Sequence, residues 1–226
     1  MLNEEIHLYC MPGLAANSKI FEFIRLPKPF VIHKLEWIDP LPNESIQSFS
    51  KRMCEKIKKK NPILLGVSFG GILVQEMSKI IPCHKVIIIS SVKSYKEFPI
   101  HIMLGRKSKA YKYFPTQWID KTEDFIGFVF GPSMRNRMGL YKHYLSFRSK
   151  EYLQWALHHF FQWDQKEADP KVIHIHGTHD ALIPVFNIKN YIAVKGGTHA
   201  MILRKAHLLN EILPEIILKN TSTKSL

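Results

Sequence analysis

Six short apolar runs alternate along most of the chain with segments of helical character, and this alternation restricts the fold more than any other feature. The runs occupy residues 6–10, 30–37, 62–67, 85–90, 172–176 and 191–194. All are far shorter than the roughly 18 apolar residues of a membrane span. Their apolar character is continuous, the pattern of strands buried on both faces of a parallel sheet. Between them, residues 45–58 set Ile46, Phe49, Met53 and Ile57 along one stripe of a helix that is otherwise rich in Lys and Ser. Residues 70–81 are apolar nearly all round, which marks a central, buried helix. Residues 200–218 read as a last amphipathic stretch, interrupted at Pro214. Strands and helices in this order, joined by right-handed crossovers, predict an α/β architecture. Its sheet is doubly wound and mainly parallel, with about six strands.

The alternation breaks between residues 91 and 170, a stretch that is aromatic, basic and helical in character. It is too long and apolar for a structureless loop in a compact domain. The organisation predicted is a core formed by residues 1–92 and 171–226, with a helical, basic insertion at 93–170. Residues 219–226 are polar and read as a frayed tail. With 46% hydrophobic and 23% charged residues, wholesale disorder is excluded. The acidic start runs straight into the first apolar run, so no signal peptide is read there. Cys10, Cys54 and Cys83 are odd in number and lack metal-type spacing, so they read as reduced thiols of a cytoplasmic protein.

The net charge is +13, from 32 Lys and Arg against 19 Asp and Glu. Residues 93–150 hold 12 basic and 4 acidic residues, 12 − 4 = +8 of that excess. Such a concentration favours an anionic partner, or forms a solvated basic surface. No nucleic-acid-binding motif accompanies it, so no nucleic-acid partner is expected.

The sharpest motif is Gly66-Val67-Ser68-Phe69-Gly70-Gly71, which fits G-x-S-x-G with an apolar strand before it and an apolar helix after it. A strand that turns this abruptly into a helix brings the positions two before and two after the serine into collision, and glycine at 66 and 70 removes the clash. The helix N-terminus beneath Ser68 favours developing negative charge. A phosphate-binding P-loop would need Lys-Ser/Thr after the glycines, where Ile72-Leu73 stands.

On these residues the chain resembles the α/β-hydrolase superfamily, with the serine as nucleophile. That resemblance implies an acid and then a histidine downstream, each after a strand. His176-Gly177-Thr178-His179-Asp180, followed by Pro184, looks like the superfamily's HGxxD…P turn, which makes Asp180 the acid. Gly196-Gly197-Thr198-His199 follows the last strand and makes His199 the base. The loop Pro12-Gly13-Leu14 stands where the superfamily often has His-Gly-X. Proline lacks an N–H, so the oxyanion donors implied are the backbone N–H groups of Leu14 and Phe69.

His174 and His176 alternate on the fifth strand and point to the same face, with His176 and Gly177 reading as the start of the turn, and His158 and His159 read as insertion residues on a helix surface or in its core. The histidines lack the spacing of a metal site, so no metal is expected. No G-x-G-x-x-G follows the first strand, and no cofactor is expected.

The activity implied is a serine hydrolase cleaving a carboxylic ester through an acyl-enzyme on Ser68. In outline the chain is similar to the carboxylesterases that demethylate a pimeloyl-carrier ester in biotin synthesis. This adds an acidic acyl carrier protein as a candidate partner, with Arg106, Lys107, Lys109, Lys112, Arg135 and Arg137 as candidate contacts. An acyl thioesterase needs the same residues. A ligand-binding protein that keeps a hydrolase fold without catalysis is the alternative of a different class.

Overall fold

A computed structural model describes residues 4–109, 142–145 and 149–219. Lys112, Arg135 and Arg137 lie outside the described residues. Six strands form one sheet: β1 (Ile6–Met11), β2 (Phe30–Lys34), β3 (Ile63–Val67), β4 (Lys85–Ile89), β5 (Val172–Gly177) and β6 (Ile192–Val194). Every pairing is parallel, in the order β2-β1-β3-β4-β5-β6. The helices are α1 (Ile46–Cys54), α2 (Phe69–Ser78), α3 (Ile100–Ser108), α4 (Lys150–Gln162), α5 (Met201–Arg204) and α6 (Ala206–Leu218). No helix among the described residues is long and apolar enough to cross a membrane.

All five residues of β3 and of β4 are buried. The unbroken apolar runs in the sequence follow from this, because central parallel strands are covered on both faces. Buried on most of its surface, α2 packs against β1, β3 and β4 and against α1. α1 is shorter than its apolar stripe suggests. Ser45 caps it, accepting the Ser48 N–H at 3.1 Å, and it ends at Cys54, before the basic run Lys56–Lys60.

The break in the last helical stretch falls at Lys205, and Pro214 lies inside α6. Pro214 and Asn210 are only partly buried, so the carbonyl that Pro214 leaves without its usual donor is close to solvent. The Lys85 ammonium, buried at the start of β4, donates to the carbonyls of Ile216, Ile217 and Lys219 at 2.9, 2.8 and 2.5 Å. It caps the C-terminal end of α6 and complements its dipole. Burial lowers its pKa.

The strand order reverses between β1 and β3. The chain leaves β1 toward β2, then returns across β1 to β3 and continues to β6. Loops at the carboxyl ends of β1 and β3 therefore diverge and open a crevice, where α/β sheets bind ligands. Residues 12–15 follow β1 and Ser68 follows β3.

Candidate active site

Ser68 is the single residue between β3 and α2, with φ 53° and ψ −122°. A non-glycine residue there is strained by about 1–3 kcal/mol, so its surroundings must hold it. Its N–H donates to Ile89 O at 2.9 Å, and its carbonyl accepts from Gly71 N–H at 2.8 Å and from Ser91 Oγ at 2.7 Å. The glycines make the bend possible. A Cβ on Gly66 would lie 2.3 Å from Gly70 O, and one on Gly70 would lie 2.3 Å from Pro12 O. Both obstacles are backbone and cannot rotate away. Gly66→Ala is therefore expected to destabilise the protein by about 3 kcal/mol or more, read as the shift in a urea midpoint. An unchanged midpoint would mean that the turn yields to a Cβ at this position.

Two further glycines bring the acid loop to the histidine loop. A Cβ on Gly177 would lie 2.3 Å from Gly197 O, and one on Gly197 would lie 2.9 Å from the Gly177 Cα. The loops after β5 and β6 are also bonded directly, Thr178 N–H to Val194 O at 3.1 Å and His179 N–H to Gly197 O at 2.8 Å. This contact sets Asp180 beside His199. His199 Nδ1 lies 2.8 Å from Asp180 Oδ2, and His199 Nε2 lies 3.0 Å from Ser68 Oγ. The other carboxylate oxygen, Oδ1, accepts the N–H groups of Leu182 at 3.0 Å and Ile183 at 2.9 Å.

Burial alone would raise the Asp180 pKa. His199, the Ile183 amide and His176 outweigh that effect and hold it below the ordinary carboxylate value. Asp180 is therefore an anion across the neutral range. The carboxylate thus accepts from Nδ1–H and leaves Nε2 as the nitrogen with a lone pair toward the serine. His179 is exposed, its Nδ1 3.0 Å from Thr178 Oγ1, and does not join this chain.

The loop after β1 closes over the serine. A Cβ on Gly13 would lie 3.3 Å from the Ser68 Cβ. No acceptor among the described residues pairs with the N–H of Leu14 or Phe69. Two aromatic side chains that carry no sequence motif fix this loop. Trp37 Nε1 donates to Gly13 O at 2.9 Å, and the buried Tyr152 hydroxyl of α4 accepts the Ala15 N–H at 3.3 Å. Ala15 has φ 60°, a conformation that needs such support. Trp37 also stacks on Phe69, with ring centroids 5.4 Å apart.

His176 lies in the strand, as the apolar run 172–176 implies, and the turn expected at His176-Gly177 begins after Gly177. His176 is fully buried, and Gly177 pairs with Val194. His159, on α4, contacts Glu44 O at 3.0 Å, in the partly buried position expected of a structural residue. Among the described residues no group of three potential ligands could hold a metal ion.

Of the basic residues proposed as partner contacts, Arg106 is engaged within the protein. Its guanidinium donates to the carbonyls of Phe161 and Trp163 and lies over the Tyr95 ring, 4.8 Å from the centroid. Lys107 and Lys109 are exposed.

No protein family and no curated protein matches the sequence. Solved structures do match in shape. The chain is similar to a hydrolase from Pseudomonas aeruginosa, with a TM-score of 0.69 at 11% identity over 96% of this chain and 91% of that one. It is similar to an esterase from a Rhodococcus species, with a TM-score of 0.64 at 16% identity over 94% and 90%. A bromoperoxidase from Bacillus anthracis gives 0.63 at 17% identity over 96% and 92%. These likenesses, together with the six-stranded parallel sheet, define an α/β-hydrolase fold.

Proposed function

We propose that the protein is a serine hydrolase that cleaves carboxylic esters through an acyl-enzyme on Ser68. The observation that carries this reading is the unbroken chain from Ser68 Oγ through both ring nitrogens of His199 to Asp180, at 3.0 and 2.8 Å.

In the first half-reaction Ser68 Oγ attacks the carbonyl carbon while His199 Nε2 takes its proton. The carbonyl oxygen becomes an oxyanion and accepts the N–H groups of Leu14 and Phe69, each worth about 3–4 kcal/mol. Collapse breaks the ester C–O bond, and His199 returns the proton to the departing alcohol. Water then attacks the acyl-serine with His199 as base, releasing the acid and restoring Ser68. The esterase and hydrolase neighbours support ester hydrolysis as the general chemistry. The test is turnover of short p-nitrophenyl esters by the full chain. Hydrolysis clearly above the buffer rate is the expected result, and hydrolysis at the buffer rate overturns the reading.

The proposal includes a cap over the acyl pocket formed by the segment from 93 to 170, of which residues 110–141 and 146–148 lie outside the described residues. Tyr152 against the oxyanion loop supports that role. So does the partly buried Phe160, which packs edge-on against Phe69 and Phe98 at 6.2 and 5.0 Å. The three cysteines are free, which supports a cytoplasmic setting.

The basic excess extends the proposal to an acyl group delivered by an acidic carrier protein, with Lys107 and Lys109 as exposed contacts. If so, raising the salt from about 50 to 500 mM raises KM severalfold for a carrier-linked ester and leaves KM for a free neutral ester unchanged. Equal behaviour of the two substrates removes the carrier. A paired oxygen-ester and thioester series then separates esterase from thioesterase.

A further inference from the structure

Behind Asp180 lies a pair of histidines that the reaction above does not use. His174 and His176 point to one face of β5 and are 1% and 0% exposed. His174 Nε2 lies 2.9 Å from His176 Nδ1. His176 Nε2 lies 2.8 Å from Ile183 O and 3.4 Å from Asp180 Oδ2.

The protons follow from the partners. A carbonyl oxygen only accepts, so His176 carries hydrogen on Nε2. Burial pushes both rings toward the neutral form, and the buried Lys93 nearby pushes His174 the same way. Neutral His176 then has a lone pair on Nδ1, and His174 must donate to it from Nε2. With the opposite tautomer, a lone pair on Nε2 would face both Ile183 O and the Asp180 carboxylate. The other groups around the pair are the Ser91 backbone, whose hydrogen bond to His174 opposes the effect of burial without outweighing it, His199 beyond Asp180, Glu97 bonded to Lys93 N–H, and the Tyr191 ring 6.1 Å from His176.

Ile183 links this pair to the site. Its N–H holds Asp180 Oδ1, and its carbonyl receives His176. We propose that His176, with its tautomer set by His174, is a positioning residue that locks the turn from Asp180 to Ile183 and aims Oδ2 at His199. The inference rests on the reading of Ser68, His199 and Asp180 as nucleophile, base and acid. A merely structural histidine would lower stability on removal and leave kcat of the folded enzyme intact.

The test compares His176→Leu with His176→Gln, whose Nε2 can take the place of the imidazole N–H. His176→Leu is expected to lower kcat for a p-nitrophenyl ester by about 10- to 100-fold, with KM held within about twofold, and His176→Gln to recover most of it. Nitrogen NMR of the wild-type imidazoles covers the case in which the leucine variant does not fold. It should show both His174 and His176 as neutral Nε2–H tautomers. Wild-type kcat in the leucine variant, or a charged or Nδ1–H His176, overturns the inference. An inactive wild-type enzyme would instead defeat the proposed hydrolysis, and this inference with it.

Discussion

Ser68→Ala is expected to abolish ester turnover, with kcat falling by roughly 10⁵- to 10⁶-fold, while the fold stays intact. The change removes one oxygen and adds nothing, so no new contact is forced on the buried turn. The backbone bonds that hold residue 68, to Ile89, Gly71 and Ser91, do not involve its side chain. Alanine tolerates a positive φ about as well as serine does, so stability should change by no more than about 1 kcal/mol. What goes is the only atom in this account that bonds to the acyl group. Steady-state kinetics alongside a urea melt make the distinction. A folded Ser68→Ala protein with wild-type turnover would place the chemistry elsewhere.

Asp180→Asn is the second large effect, and its direction follows from the partners of the carboxylate. Oδ1 accepts two backbone N–H groups, from Leu182 and Ile183. An asparagine must keep its carbonyl oxygen there, which turns its NH2 toward His199 Nδ1. The ring then accepts at Nδ1 and carries its proton on Nε2, so an N–H faces Ser68 Oγ where a lone pair is needed. The expected loss is about 10⁴-fold in kcat with KM little changed, because substrate binding does not involve this carboxylate. A loss confined to KM would show that Asp180 shapes the pocket and does not set the tautomer.

Much of the fold was legible because parallel strands write continuous apolar runs and because glycines mark close backbone approaches. Gly66 and Gly70 around the serine, and Gly177 and Gly197 between the last two loops, are cases where a Cβ would meet backbone at 2.3–2.9 Å. Ser68, Asp180 and His199 each stand in such a local pattern. Trp37 and Tyr152 were illegible for the opposite reason. They reach the loop after β1 through bonds to residues 24 and 137 positions away, and no local spacing encodes those contacts. The turn after the fifth strand was placed one residue early because a His-Gly pair looks like a turn, whereas pairing with β6 extends the strand through Gly177. Pro214 was taken for a break, yet it is tolerated on a half-exposed helix face. Arg106 was read from the sequence as a candidate contact for an anionic partner, and only the approach of α4 to α3 shows its guanidinium bonded to the carbonyls of Phe161 and Trp163.

The most direct test of an activated Ser68 is labelling by a fluorophosphonate, followed by mass spectrometry of the modified peptide. Only a serine whose proton is drawn off by a neighbouring base reacts readily with this probe. The account predicts one adduct per chain, on the peptide containing Ser68, fast in the wild-type protein and nearly absent in His199→Ala. A folded wild-type protein that stays unlabelled, or that carries its adduct on a different serine, would contradict it.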